Sequence, residues 1–71
     1  MAGKTKNFVY PFLINEMKKN GETQKELAKT LGLTRESVNF RFSGKREWTI
    51  SEIEKICKHY NKDFYELFRK E

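Results

Sequence analysis

Residues 24–44 read QKELAKTLGLTRESVNFRFSG, and this stretch decides the fold. Two short helices are written into it. The first opens at Gln24, carries Leu27, Ala28 and Leu31 on one side, and stops at Gly32. The second follows Thr34, a good N-cap, and runs through Val38 and Phe42 to Ser43-Gly44. Ala28 is small where the second helix must approach the first, and Gly32 sits at the turn, where a positive φ is needed. Leu27, Leu31, Leu33 and Val38 supply an apolar wedge between the pair. A small residue, a turn glycine and four apolar positions at this spacing specify two crossed helices joined by a tight turn, rather than an ordinary helical hairpin.

Upstream, Tyr10, Leu13, Ile14 and Met17 fall at i, i+3, i+4 and i+7, the spacing of one helical face. Pro11 is tolerated in a first turn, where its missing N–H would have no partner. Asn20-Gly21 ends that helix, because both residues accept the left-handed conformation. Thr23 with Glu26 forms a capping box: the hydroxyl takes the Glu26 N–H and the carboxylate returns to the Thr23 N–H. The same signature recurs as Thr49 with Glu52 and Asp63 with Glu66, opening two more helices. Helices are expected at about 8–20, 24–31, 35–43, 50–60 and 64–69, with no strand-like alternation. The expected core is Leu13, Ile14, Met17, Leu27, Ala28, Leu31, Leu33, Val38, Phe42, Trp48, Ile50, Ile53, Ile56, Cys57, Phe64, Leu67 and Phe68. The fold class is therefore all-α, a compact five-helix domain. A single domain is expected over residues 1–71, with a basic, flexible N-terminal stretch over about 1–7.

A chain of 71 residues is near the lower limit for a self-sufficient hydrophobic core and leaves little room for a deep substrate pocket. The formal net charge is +5 and the pI near 9.5, a balance that favours a polyanionic partner such as nucleic acid. The excess is uneven. Residues 1–21 set Lys4, Lys6, Lys18 and Lys19 against Glu16, and residues 22–48 hold six basic and four acidic side chains. Residues 49–71 are balanced at five each, so the positive charge gathers in the part that holds the crossed helices. One cysteine, Cys57, excludes an internal disulfide and fits a reducing compartment. With His59 as the one histidine there is no ligand set for zinc, and neither metal nor cofactor is expected. No apolar run approaches the roughly 20 residues of a membrane span, and no signal-peptide pattern is present. A soluble, cytoplasmic protein that does not engage membranes is expected.

Thr23-Gln24, Glu26-Leu27-Ala28, Leu31-Gly32-Leu33-Thr34, Val38 and Gly44 together resemble the lambda-repressor/Cro-like helix-turn-helix family, also called the XRE family. The trailing stretch Gly44-Lys45-Arg46-Glu47-Trp48-Thr49, followed by Glu52-Ile53 and Ile56, is similar to small phage-encoded members in particular. The resemblance implies a five-helix domain whose third helix enters the DNA major groove. It also implies a Cro-like regulator of a lysogeny–lysis switch, in the host cytoplasm if phage-encoded. One departure stands out. Many members carry an apolar residue where this chain has Arg41, and a polar one where it has Phe42. Phe42, four residues after Val38, is expected to fill the core while Arg41 turns towards the edge.

In the family, the positions matching Thr34, Arg35, Glu36, Asn39, Phe40 and Ser43 face the groove. Arg35 suits a bidentate pair with guanine and Asn39 one with adenine, each worth roughly 1–3 kcal/mol of discrimination. Phe40 suits a thymine methyl and Glu36 a cytosine amino group. Gln24 opens the second helix, where its side chain and the nearby N–H groups suit a phosphate. Lys25, Lys45 and Arg46 are the other phosphate candidates. Arg41 has two partners open to it, a phosphate or Glu47. Phe8, Phe12, Phe40 and Tyr65 cannot all be buried in so small a domain, and Phe8, Phe12 and Tyr65 are candidates for a protein interface. Cys57 reads as a small buried hydrophobe, His59 as a surface residue, and Trp48 as a core plug beneath the loop after the third helix.

Two functions fit these residues. One is a repressor that binds a palindromic operator in double-stranded DNA, as a weak homodimer or a monomer that pairs on half-sites about 34 Å apart. The other is a modulator or antirepressor that binds a companion repressor protein. An acid such as Glu36 repels DNA phosphates, and exposed aromatic residues are at home against protein. An antitoxin-type role shares the same fold. No enzyme is expected, since there is no paired His and carboxylate at a suitable spacing, no phosphate-cradling glycine loop and no nucleophile motif.

Overall fold

Thr23, Thr49 and Asp63 each open a helix as their spacing requires. A computed structural model describes residues 10–69. Along these the helices are α1 (Pro11–Lys19), α2 (Gln24–Leu31), α3 (Arg35–Phe42), α4 (Ile50–Tyr60) and α5 (Phe64–Phe68). All three capping boxes form: the Glu26, Glu52 and Glu66 N–H groups donate to Thr23 Oγ1, Thr49 Oγ1 and Asp63 Oδ1 at 3.2, 3.1 and 2.8 Å. Each carboxylate accepts the N-cap N–H in return, at 2.9, 3.0 and 3.0 Å. Thr34 caps α3 alone, accepting the Ser37 N–H at 3.1 Å. α1 starts at Pro11, later than the spacing implied, and Tyr10 before it offers no side-chain cap. The expected N-terminal stretch about 1–7, and Phe8, lie outside the described residues.

The ends are equally local. Asn20 keeps a negative φ while Gly21 takes +65°, so of that pair the glycine alone supplies the left-handed step. After α2, Gly32 adopts φ 73° and lets the Leu33 N–H reach back to the Ala28 carbonyl at 2.8 Å. A methyl group added to Gly32 would meet nothing within 4 Å. The backbone angle, not space, demands glycine there. Asn61 closes α4 with φ 56°, a role that asparagine fills more readily than other side chains.

Among the described residues, eleven buried side chains form one core: Leu13, Met17, Leu27, Ala28, Leu31, Val38, Phe42, Trp48, Ile56, Leu67 and Phe68. Trp48 is its aromatic hinge, edge-on to Phe42 at 5.5 Å and to Phe68 at 6.1 Å. Tyr10 closes the far side against Phe68 at 5.4 Å. Ile14, Leu33, Ile53 and Cys57 are only partly buried against this cluster. Burial, then the charge of Asp63, pushes the Cys57 thiol up, away from thiolate chemistry.

Two expected core residues are outside it. Ile50 is 75 % exposed and Phe64 56 %. Each is the first residue of its helix. Ile50 points about 120° around α4 from fully buried Ile56, at 100° per residue. Phe64 stacks on the outer face of Phe68, with centroids 5.6 Å apart, because Leu67 and Phe68 already fill the inward side of α5.

Candidate nucleic-acid interface

The inward side of α3 is Val38, Arg41 and Phe42, spaced i, i+3 and i+4. Arg41 is thus a core-side residue, only 6 % exposed, and not the edge residue its charge suggested. Its ion-pair partner is not Glu47. Its Nε and Nη2 donate to Glu52 Oε1 and Oε2 at 2.9 and 3.1 Å, a fork on the first turn of α4. Nη1 donates to the Ser37 carbonyl at 2.9 Å and the Ser37 hydroxyl at 2.7 Å, while the guanidinium carbon lies 5.8 Å from the Trp48 ring. Burial by itself would raise the Glu52 carboxyl. The bonds and charge of Arg41, with the Thr49 N–H, outweigh that and hold it below the usual carboxylate range. This clamp locks α3 against α4. The sequence signal for it was present, since residue 41 stands three after Val38 on the buried face.

With that side fixed, the opposite side of α3 is open. Arg35, Glu36 and Asn39 are exposed, and together with Gln24 at the start of α2 they line one recess. Four of the expected contact residues, drawn from two helices, therefore converge. A second recess beside it is bounded by Lys25, Arg35, Thr23 and Leu33. Thr34 is exposed, but its Oγ1 is committed to capping α3. Ser43 donates its hydroxyl to the Phe40 carbonyl at 3.2 Å. Lys45 and Arg46 lie exposed in the segment after α3, with the Lys45 ammonium 5.5 Å from the Phe40 ring centre. Among the described residues, Lys25, Arg35, Lys45 and Arg46 enter no ion pair; the Lys and Arg ion pairs there are Lys19–Glu16 and Arg41–Glu52. Exposed cations flank a polar recess, as a phosphate-lined groove requires.

A family model described as Helix-turn-helix matches residues 13–67. The chain belongs to the lambda-repressor/Cro-like helix-turn-helix family. No curated protein and no solved structure matches the chain. Membership makes this helix-turn-helix protein a DNA-binding regulator in general terms, in a family that is typically non-enzymatic. Its α2 and α3 are the helix-turn-helix pair, with α3 as the outward helix. No helix among the described residues is long and apolar enough to cross a membrane.

Elsewhere on the helix-turn-helix domain, Phe12 and Tyr65 share one cation. The Arg69 guanidinium carbon lies 4.2 Å from the Phe12 ring centre and 4.9 Å from that of Tyr65. Two of the residues marked for a protein interface are thus joined by a cation between them. His59 is exposed as expected, but its Nε2 lies 3.1 Å from both carboxylate oxygens of Glu22. Tyr60 donates its hydroxyl to the same carboxylate, and burial followed by Glu22 pushes that phenol well up.

Proposed function

We propose that the chain is a sequence-specific transcriptional regulator of the Cro-like repressor kind, with α3 in the major groove. One observation carries this reading: Arg35, Glu36, Asn39 and Gln24 line a single open recess while the far side of α3 is locked into the core. A helix read by DNA needs one face rigid and the other free. Arg35 then addresses guanine and Asn39 adenine, with Gln24, Lys25, Lys45 and Arg46 on phosphates and Thr34, Glu36, Phe40 and Ser43 along the base edges. Two copies on a palindrome would place their α3 helices one turn of DNA apart. The test is a gel shift against randomised DNA at two salt concentrations. A selected site is expected, with affinity that falls as salt rises. Arg35→Ala with Asn39→Ala should remove the site preference and leave the fold intact. Normal site selection by that double variant refutes the assignment.

A second reading is supported by the stack of Phe12, Arg69 and Tyr65. Here the chain binds a companion repressor and alters its operator binding. Co-purification with such a repressor, by a chain that alone fails to shift DNA, is the result that favours it.

A further inference from the structure

Of the six side chains placed along the base edges, Phe40 alone cannot form a hydrogen bond. Its ring is half buried, yet it is not among the hydrophobic residues packed against the core. One contact over it is local. The Phe40 carbonyl accepts from the Lys45 N–H at 2.9 Å, the Arg46 N–H at 3.3 Å and the Ser43 hydroxyl at 3.2 Å. These bonds fold the segment 43–46 back over the last turn of α3. They deliver the Lys45 ammonium to 5.5 Å from the Phe40 ring centre, within the range of cation–π attraction. The ring is thereby braced from one side, outside the core, four residues after Glu36 on the same open face of α3.

An aromatic group held there beside a cation matches one feature of a major-groove wall. The C5 methyl of thymine is the apolar group that a base pair presents in that groove. We propose that Phe40, braced by Lys45, reads the C5 methyl group of a pyrimidine, so that one position of the half-site is chosen by a methyl contact and not by hydrogen bonding. This rests on the base reading by α3 proposed above, and it names the chemistry that reading selects. Thymine and 5-methylcytosine carry the group; uracil and cytosine lack it. Arg35 and Asn39 act through hydrogen bonds and stay separable from it.

The experiment replaces each thymine of the selected site by uracil, one position at a time, and compares cytosine with 5-methylcytosine at any sensitive position. At one position per half-site, uracil should weaken binding about fourfold, the worth of one buried methyl group. 5-Methylcytosine should exceed cytosine there by a similar factor. Phe40→Ala and Phe40→Gln should abolish both differences while the Arg35-dependent base preference persists, and Lys45→Ala should at least halve them. The uracil scan uses the unaltered chain, so it decides the matter even if a variant fails to fold. A selected site with no methyl-sensitive position, or a methyl preference that survives loss of the Phe40 ring, overturns this assignment alone. Full discrimination in Lys45→Ala overturns the brace. Failure to select any site removes the base reading and this inference with it.

Discussion

Replacing Arg41 by methionine removes the clamp between α3 and α4 while keeping an apolar stem of similar reach. Two charge-assisted bonds to Glu52 and two donors to Ser37 disappear together. Breaking a fully buried pair costs about 3–5 kcal/mol, because a charge is left stranded. The Glu52 side chain retains 14 % exposure and keeps the Thr49 N–H, so water and that bond offset part of the loss. The expected cost is about 2–3 kcal/mol, a large share of the roughly 4–10 kcal/mol that a domain of this length has. Melting should fall by about 10–20 °C. Urea titration followed by fluorescence of Trp48, the one tryptophan, reports it, since that ring is buried against Phe42. A cycle with Glu52→Gln isolates the pair, with a coupling of about 2 kcal/mol expected at pH 7. The fold depresses the Glu52 carboxyl, so the contribution is complete above the unfolded carboxylate value, about 4.3, and is lost as pH falls through the lower folded value. A coupling under about 0.5 kcal/mol, or one undiminished near pH 3, refutes the reasoning.

Other outcomes follow from the same contacts. Gly32→Ala should cost about 1–2 kcal/mol in thermal unfolding, wholly from the left-handed backbone, since the added methyl meets no atom. Thr49→Ala removes the Oγ1 that takes the Glu52 N–H and should cost about 1 kcal/mol by the same assay. Ile50→Ser should stay within about 0.5 kcal/mol of the parent, Phe64→Ser should cost about 1 kcal/mol through its lost stack on Phe68, and Phe42→Ala should cost about 3–5 kcal/mol. Tyr60 keeps its proton in the fold to higher pH than in the unfolded chain. Its contribution is therefore complete below about pH 10 and fades above it, and Tyr60→Phe should make alkaline unfolding shallower in a pH series.

What was legible in the sequence is what the chain decides within four residues. Thr23 with Glu26, Thr49 with Glu52 and Asp63 with Glu66 fixed three helix starts, because each cap is satisfied inside its own first turn. Gly32 and the spacing of Leu27, Ala28 and Leu31 placed the crossed pair for the same reason. Ile50 and Phe64 were misplaced because hydrophobicity does not say which side of a helix a neighbour covers. Arg41 was misread through its charge, although its position beside Val38 on the helical wheel marked it as inward. Its partner lies eleven residues away on another helix, beyond any local rule. At the candidate site, the open recess was foreseeable from the face of α3, but the cover that Lys45 gives Phe40 depends on how the segment after α3 folds back.

The helix behind the crossed pair grips it at two places. Near its start α4 holds Arg41 through Glu52, and at its end it holds Glu22, just ahead of α2, through His59 and Tyr60. Those polar grips are separated by about 12 Å of helix, and fully buried Ile56 lies between them. A lever pinned at two points cannot pivot about either. Any rocking of the outward helix must first release one end, so a duplex that meets this regulator would find a stiff template, and deformation on binding would fall to the DNA.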